Sequence, residues 1–192
     1  MPGADAADAL PSEAAGYGAA VSEVPTVTLR ARTEADRDVL YSIASDLSTW
    51  EERDPSAPGP VPRQRYDAQA NASATSYRDD VFFVIDVDGR PAGSATLFAF
   101  DTLARHAEAG ISLADGFRGR GVGTEALRQL VDFGFTRRNL RRIHLQAIAS
   151  NAGALRAYAK VGFVEEGRRR QHAWVRGGYE DVVLMGLLRD ER

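Results

Sequence analysis

Several stretches of the chain alternate apolar and polar residues with a period of two, which is the pattern of half-buried β-strands. Residues 26–33 show this alternation first, and two apolar runs over 81–87 and 92–100 are joined by Asp-Gly-Arg-Pro, as in a β-hairpin. The same reasoning predicts four further strands, over residues 106–115, 142–150, 164–175 and 181–188.

Apolar residues at helical spacing lie between these strands. Thr33 followed by acidic residues is typical of a helix start, and a weaker pattern predicts a helix over 63–77, after a proline-rich loop at 51–62. Two later helices are predicted from the apolar stripe Ala126, Leu127, Leu130, Val131 and Gly134 and from residues 151–161, before Gly162. Together these elements predict an α/β (α+β) domain with a mixed sheet.

The composition suits one soluble globular domain, since 44% of the 192 residues are apolar and 27% are charged. Residues 1–25 contain four acidic and no basic residues and predict a disordered tail, so the domain spans 26–192. No stretch resembles a signal peptide or a membrane span, and the predicted location is the cytoplasm. A net charge of -3 gives no reason to expect nucleic acid or a membrane as the main partner.

The chain contains no cysteine, which excludes a disulfide framework, a thiolate metal site and a cysteine nucleophile. No metal site is predicted. Two arginine clusters, at 137–142 and 168–170, suit a solvated surface, although nucleic acid or a phosphate group is the alternative ligand.

Residues 118–124, Arg-Gly-Arg-Gly-Val-Gly-Thr, connect a predicted strand to a predicted helix. A connection of this kind aims backbone N–H groups at the positive end of a helix dipole, where an anion can bind. These residues do not match the Walker motif GxxxxGK[ST], because no lysine follows the glycines. They also do not match the dinucleotide-binding motif GxGxxG, because Thr124 occupies the position of the third glycine. From these residues alone, a phosphate-binding turn and a sharp structural connection remain equal alternatives.

Two motifs resemble signatures of the GNAT superfamily of acetyl-CoA-dependent N-acetyltransferases. Arg118, Gly121 and Gly123 fit R-x-x-G-x-G, and Ser-Asn-Ala-Gly-Ala-Leu-Arg-Ala-Tyr-Ala-Lys-Val-Gly-Phe begins at residue 150. The resemblance extends over residues 26–188, to the branch that includes ribosomal-protein N-terminal acetyltransferases and spermidine or other small-amine acetyltransferases.

The resemblance implies a mostly antiparallel mixed sheet, flanked by helices, whose central parallel strands splay apart around acetyl-CoA, the acyl donor. The backbone of Ile111, Ser112 and Leu113 would bind the pantetheine arm, and Asn151 would hold the other side of the cofactor. The pyrophosphate would lie on the turn formed by Arg118, Gly119, Arg120, Gly121, Val122, Gly123 and Thr124.

Acetyl transfer to an amine requires a neutral nucleophile, and only about one alkyl amine in a thousand or fewer is neutral at pH 7. Glu108 is the first candidate for the base, because strand parity sets it apart from the apolar face of its strand. A solvated or ion-paired glutamate is the alternative interpretation. His106, His144 and His172 are further candidates for the base.

Tyr158 lies where the family places a general acid that protonates the departing thiolate. From the residues alone, Tyr158 also suits core packing, since Leu155 and Ala159 share its helical face.

The predicted function is direct acetyl transfer from acetyl-CoA to a primary amine, with a small amine of polyamine, amino-sugar or antibiotic type as acceptor. A protein N-terminal amine and a CoA-binding module without catalysis are the alternatives. By family analogy, the loop after Trp50 and the hairpin at 171–179 would form the acceptor's walls, and the acidic residues Glu51, Glu52 and Asp54 could attract a cationic amine. A homodimer is a common arrangement among such proteins.

Overall fold

Seven strands and four α-helices form the described part of a computed structural model, which comprises residues 25–47, 59–75 and 80–192. The predicted tail, apart from Pro25, and most of the predicted proline-rich loop lie outside these residues. The strands are β1 Val27–Arg30, β2 Val81–Val87, β3 Arg90–Asp101, β4 His106–Leu113, β5 Arg142–Ile148, β6 Val164–Val175 and β7 Gly178–Leu188. The helices are α1 Arg37–Ser45, α2 Arg63–Thr75, α3 Val122–Arg137 and α4 Ala152–Val161.

Strand β1 ends at Arg30, three residues before the predicted end at Thr33. The backbone N–H and the hydroxyl of Thr33 both donate to the Asp36 carboxylate, each at 2.8 Å. Arg30 donates to the same carboxylate from the end of the strand. These bonds hold the connection in a turn, so that α1 begins at Arg37 after a short 3-10 helix.

Other boundaries differ from the predictions by a few residues. Strand β4 ends at Leu113 because residues 115–117 form a 3-10 helix. The hairpin between β2 and β3 turns at Asp88 and Gly89, which have φ values of 52° and 77°. Positive φ at both central residues matches the twist of the flanking strands, which explains the hairpin signal of Asp-Gly.

All seven strands form one sheet in the order β1-β2-β3-β4-β5-β7-β6. Every neighbouring pair is antiparallel except β4 and β5, which α3 connects. The predicted mixed, mostly antiparallel sheet is therefore confirmed. No helix in the described ranges is long and apolar enough to cross a bilayer.

The two faces of the central strands differ in chemistry, as the period of two requires. Ala107 and Ala109 of β4 and Leu145 of β5 join the main apolar core, together with the buried face of α3. Gly134 permits this close packing, since a Cβ there would lie 2.7 Å from Cδ1 of Ile143. The alternate residues of β4 and β5 are left for the opposite face of the sheet, where the polar groups of the candidate site lie.

Candidate active site

Limited pairing between β4 and β5 opens a gap in the sheet. Residues 106–108 lie beside 142–144, and Glu108 with His144 is the last pair. Beyond it the strands diverge, while β4 remains paired with β3 up to Leu113. The edge of β4 that faces the gap therefore offers free backbone polar groups to a ligand.

The glycine turn, residues 118–124, closes one end of this gap. Gly119 and Gly121 have φ values of 70° and 82°, a conformation that L-residues rarely adopt. A Cβ at Gly123 would lie 3.3 Å from Cδ1 of Leu113, so the turn packs closely against the end of β4. The unpaired N–H groups in the first turn of α3 lie at this end of the gap.

A cleft of about 350 Å³ lies between β4, the glycine turn and α4. Arg118, Arg156 and Lys160 contribute positive charge to it, and none of the described lining residues is acidic. Cationic walls beside a helix N-terminus suit a ligand that carries phosphate groups. The other lining residues are Ile111, Ser112, Leu113, Gly119, Gly121, Gly123, Thr124, Asn151, Gly153, Ala154, Ala157 and Tyr158.

All predicted cofactor-binding residues line this cleft except Arg120 and Val122. Val122 is only 1% exposed and packs in the main core, so only its backbone N–H can serve a ligand. Arg120 is exposed, and its Nη1 donates to the carbonyl of Gly116 at 3.4 Å. Their side chains therefore contribute to the turn and its packing, and not to the cleft wall.

Arg118 joins the glycine turn to β4. Its Nε donates to the Leu113 carbonyl at 3.1 Å and lies 3.3 Å from the Asp115 carboxylate. The guanidinium thus fixes the geometry of the turn while it also lines the cleft.

Two polar side chains of the cleft differ in their hydrogen bonding. Asn151 caps α4, since its Oδ1 accepts the N–H of Ala154 at 3.1 Å. The Ser112 hydroxyl is enclosed and has no hydrogen-bond partner within the described ranges. A buried polar group without a partner costs roughly 1–3 kcal/mol. The Ser112 hydroxyl therefore favours a site that a bound polar molecule completes, as the pantetheine arm would.

Tyr158 both packs against the main core and lines the cleft, so its two predicted roles are compatible. Its ring centroid lies 6.3 Å from that of Phe163. Burial raises the pKa of Tyr158 to about 12. The hydroxyl therefore stays protonated at neutral pH and is able to donate a proton.

Glu108 lies outside the lining of the cleft, on the polar face at the point where β4 and β5 separate. Gln146 Nε2 donates to Glu108 Oε1 at 3.1 Å, and Arg169 donates to the amide oxygen of Gln146 at 3.3 Å. Burial raises the pKa of Glu108 above its ordinary value, against the opposing effects of Gln146 and Arg169. A carboxylate with a raised pKa is a stronger base than an exposed one.

Two of the three histidine candidates lie beside Glu108. His144 Nε2 is 3.9 Å from Glu108 Oε2, and the rings of His106 and His144 meet edge to face with centroids 5.3 Å apart. Burial, with smaller effects of Arg142 and His106, lowers the pKa of His144. His172 is exposed on β6.

Arg156 and Lys160 are site residues that the sequence analysis did not identify. Their spacing of four, three residues after Gly153, places all three on one side of α4. From the sequence, this spacing and the assignment of Asn151 to the cofactor could have identified Arg156 and Lys160 as residues of the same site.

The predicted arginine clusters lie outside the cleft. Arg142 pairs with Glu166, and Arg168 Nε lies 2.7 Å from the Glu165 carboxylate, as expected of surface arginines. The loop acids Glu51, Glu52 and Asp54, predicted to attract the acceptor, fall outside the described residues. Among the residues that are described, no group of three or more His, Cys, Asp or Glu side chains could hold a metal ion.

Comparison with known families and curated proteins agrees with this geometry. The acetyltransferase (GNAT) domain model matches residues 26–164. The spermidine N(1)-acetyltransferase of Escherichia coli K12 is 30% identical over 109 residues, which cover 57% of this chain and 59% of that protein. YdaF of Bacillus subtilis, whose name places it with ribosomal N-acetyltransferases, is 34% identical over 104 residues, 54% of this chain and 57% of YdaF. The matched segments thus span less than two thirds of both relatives.

Longer alignments exist with a third relative and with solved structures. The spermidine N(1)-acetyltransferase of Vibrio cholerae is 26% identical over 171 residues, 86% of this chain and 94% of that protein. A crystal structure of spermidine N-acetyltransferase from Vibrio cholerae with CoA and spermine has a TM-score of 0.79 at 24% identity, covering 86% of this chain and 96% of that one.

A structure of Mycobacterium smegmatis RimJ with CoA-disulfide has a TM-score of 0.75 at 25% identity, covering 86% of this chain and 83% of RimJ. The predicted fold is that of these solved structures, and the relatives are named as N-acetyltransferases, the predicted class. The family match over most of the domain and the splayed strands that end at a glycine turn show that the chain belongs to the GNAT acetyltransferase family.

Proposed function

We propose that the protein transfers the acetyl group of acetyl-CoA to the primary amine of a small molecule, with polyamines as the first acceptor class. The observation that carries this proposal is the cationic cleft at the splay of β4 and β5, which has Tyr158 in its wall and Glu108 at the start of the divergence. This arrangement provides a site for a phosphate-bearing donor beside a base and an acid.

The donor's charged end fits the glycine turn. The first-turn N–H groups of α3 and the side chain of Arg118 would hold the pyrophosphate, while Arg156 and Lys160 add positive charge from α4. The unpaired edge of β4 beyond Glu108 would bond the pantetheine amides, and the Ser112 hydroxyl would gain a partner there. When bound, acetyl-CoA supplies the activated acyl group.

Glu108 and Tyr158 would perform complementary proton transfers. Glu108 takes a proton from the acceptor ammonium, which leaves a neutral amine able to form the C–N bond. Tyr158 gives its proton to the sulfur as the C–S bond breaks, and regains one from solvent. Burial raises the pKa of Glu108, which makes its carboxylate a stronger base, and the pKa of Tyr158 keeps its hydroxyl protonated until the thiolate forms.

A polyamine acceptor is supported by the relative with 30% identity that is named as a spermidine acetyltransferase. Other small amines, such as amino sugars, belong to the same proposal. A protein N-terminal amine is the second candidate, favoured by the match to YdaF. A CoA-binding module without catalysis is a third candidate, which the presence of Tyr158 in the cleft wall disfavours.

The experiment that tests this proposal measures CoA release from acetyl-CoA with one acceptor class at a time. A thiol reagent detects the product without protein background, because the chain contains no cysteine. The panel contains spermidine and spermine, aminoglycosides, free amino acids, and peptides with free N-termini. We expect turnover above the acceptor-free rate with polyamines and no comparable rate with peptides.

The alternative outcomes separate the candidates. Turnover with peptides alone would replace the small-amine acceptor with a protein N-terminus. CoA binding without turnover on any acceptor would favour the non-catalytic module.

A further inference from the structure

A row of titratable side chains extends from the point where β4 and β5 separate to the protein surface. Glu108 Oε2 lies 3.9 Å from His144 Nε2, and the His144 ring contacts the His106 ring. His106 Nε2 in turn lies 3.9 Å from the carboxylate of Asp101, which is exposed at the end of β3. The row therefore connects the candidate base to solvent.

The fold fixes the neighbours in this row. Glu108 and His144 are directly opposite each other in the parallel pairing of β4 with β5, and His106 precedes Glu108 by two residues on the same face. A separation of 3.9 Å exceeds a hydrogen bond. Catalytic contacts are often this long before substrate binds.

The charged and titratable groups around His144 come from three strands. Besides Glu108 and His106 on β4, they are Arg142 on its own strand and Glu166 on β6. Burial, Arg142 and His106 lower the pKa of His144, and Glu166 opposes them. The imidazole is therefore neutral near pH 7, with a lone pair free to accept a proton.

The surroundings of the His144 ring also favour release of an added proton. Nδ1 of His106 and Nδ1 of His144 are both enclosed, and neither has a hydrogen-bond partner in the parts of the chain that are described. Because Nε2 of His144 faces Glu108, the neutral ring must carry its hydrogen on Nδ1 to accept a proton there. That Nδ1–H has no acceptor among the described residues, so the imidazolium that forms at His144 is disfavoured and passes its proton on.

We propose that His144 receives the proton that Glu108 takes from the acceptor and releases it to solvent on the His106 side, so that Glu108 is ready for the next turnover. This proposal rests on the proposed function. His144 acts through Glu108 and is a positioning and proton-accepting residue.

The proton balance of the proposed step is complete. The acceptor ammonium gives one proton to the Glu108 carboxylate, and the resulting carboxylic acid gives it to the neutral His144. The imidazolium then loses one proton to solvent. The second proton of the attacking nitrogen leaves by the same route after the C–N bond forms, and compensates for the one that Tyr158 gives to sulfur.

The test replaces His144 with glutamine, written His144→Gln, and compares kcat/KM from about pH 5 to 9 with an active amine. We expect kcat/KM at pH 7 to fall at least about 10-fold, with CoA affinity unchanged. Added imidazole should restore part of the rate, and one titrating group should disappear from the acid limb of the pH profile. The control is Arg128→Gln, since Arg128 is exposed on α3 and lies outside both the cleft and this row, and it should leave the rate unchanged.

A second measurement follows the His144 imidazole by NMR in the wild-type chain and in Glu108→Gln. Removing the carboxylate takes away a negative charge that favours the imidazolium, so the pKa of His144 should fall. This titration needs no turnover, and it tests the pairing directly even where a His144 variant folds poorly.

The outcomes distinguish this proposal from the proposed function. Normal wild-type turnover with an unchanged His144→Gln pH profile overturns the role of His144 alone. If NMR gives the same pKa of His144 in the wild type and in Glu108→Gln, the pairing of the two residues is overturned. No wild-type turnover with any amine overturns the proposed function, and the role of His144 with it.

Discussion

Burial acts in the same direction on Glu108 and Tyr158, although the two side chains have opposite proposed roles. Burial raises the pKa of both groups. For Glu108 the raised pKa means a carboxylate that is a stronger base, whereas for Tyr158 it means a hydroxyl that stays protonated at neutral pH. The difference lies in the ordinary pKa of each group, well below 7 for a carboxyl and well above 7 for a phenol.

Replacing Tyr158 with phenylalanine removes the proposed acid and keeps the ring that packs against the core. We expect Tyr158→Phe to lower kcat about 100-fold, because the departing thiolate loses its proton donor, with little change in CoA affinity. Steady-state kinetics and calorimetric titration of CoA measure the two effects separately. The control is Tyr66→Phe, since Tyr66 lies on α2, packs against Tyr41 and does not line the cleft. Turnover equal to the wild type would remove Tyr158 from the mechanism.

Single residues were predictable where the signal is local. Strand parity alone separated Glu108 from the apolar face of β4, and motif spacing singled out Tyr158, which lies in the wall of the cleft. The contacts of His144 and Gln146 with Glu108 were beyond that reasoning, because they depend on the register of two strands and join residues 36 and 38 positions apart. Sequence periodicity specifies which face a residue takes and leaves this register open.

An ion-pair network holds the start of α1 against the edge of the sheet. Arg30 of β1 donates to Asp36 at 2.7 Å and to Asp86 of β2 at 2.8 Å. The Asp36 side chain is only 3% exposed, and Arg30 and Thr33 hold its pKa well below the usual range. The network thus fixes the segment that leads into α1.

We expect Asp36→Asn to lower the free energy of unfolding by roughly 3 kcal/mol at pH 7, because it removes one partner of a buried pair. Asp38→Asn is the control, since Asp38 is 87% exposed in its pair with Arg63, and it should cost less than about 0.5 kcal/mol. Urea unfolding measures both values.

The pH dependence of this difference has a definite sign. A carboxyl whose folded-state pKa is lowered stabilises the fold fully above its unfolded pKa of about 4. That contribution is lost as the pH falls toward the folded value. The gap between wild type and Asp36→Asn should therefore shrink as the pH falls below about 4, and a gap that grows instead would contradict the role of Asp36.

Elements were predicted more reliably than their ends. The helix over residues 63–77 was correct in position and appears as Arg63–Thr75. The strand at 26–33 was too long, because the alternation of apolar residues continues into a segment that Asp36 and Arg30 hold in a turn. Side-chain hydrogen bonds of this kind do not change the alternation of apolar and polar residues in the sequence, so the alternation does not reveal them.

At the scale of the whole molecule, the decisive feature is a single parallel pairing inside an otherwise antiparallel sheet. The crossover through α3 places its N-terminus and the glycine turn beside the gap, and α4 forms the opposite wall. The order of strands and helices limited the fold to a mixed sheet, while the splay itself came from the resemblance of two motifs. A local sequence pattern cannot predict that β4 and β5 separate after three paired residues, because the separation depends on what each strand packs against.

The central claim is that this gap holds acetyl-CoA through the glycine turn, and calorimetric titration of CoA tests it most directly. The wild-type chain should bind CoA saturably at one site. Gly121→Ala should weaken binding about 10-fold or more, because a Cβ at φ 82° costs roughly 1–2 kcal/mol and shifts the N–H groups of the turn. Gly167→Ala is the matched control, since a Cβ there meets nothing within 4 Å. Absence of saturable CoA binding to the wild type, or equal affinity in Gly121→Ala, would contradict the account.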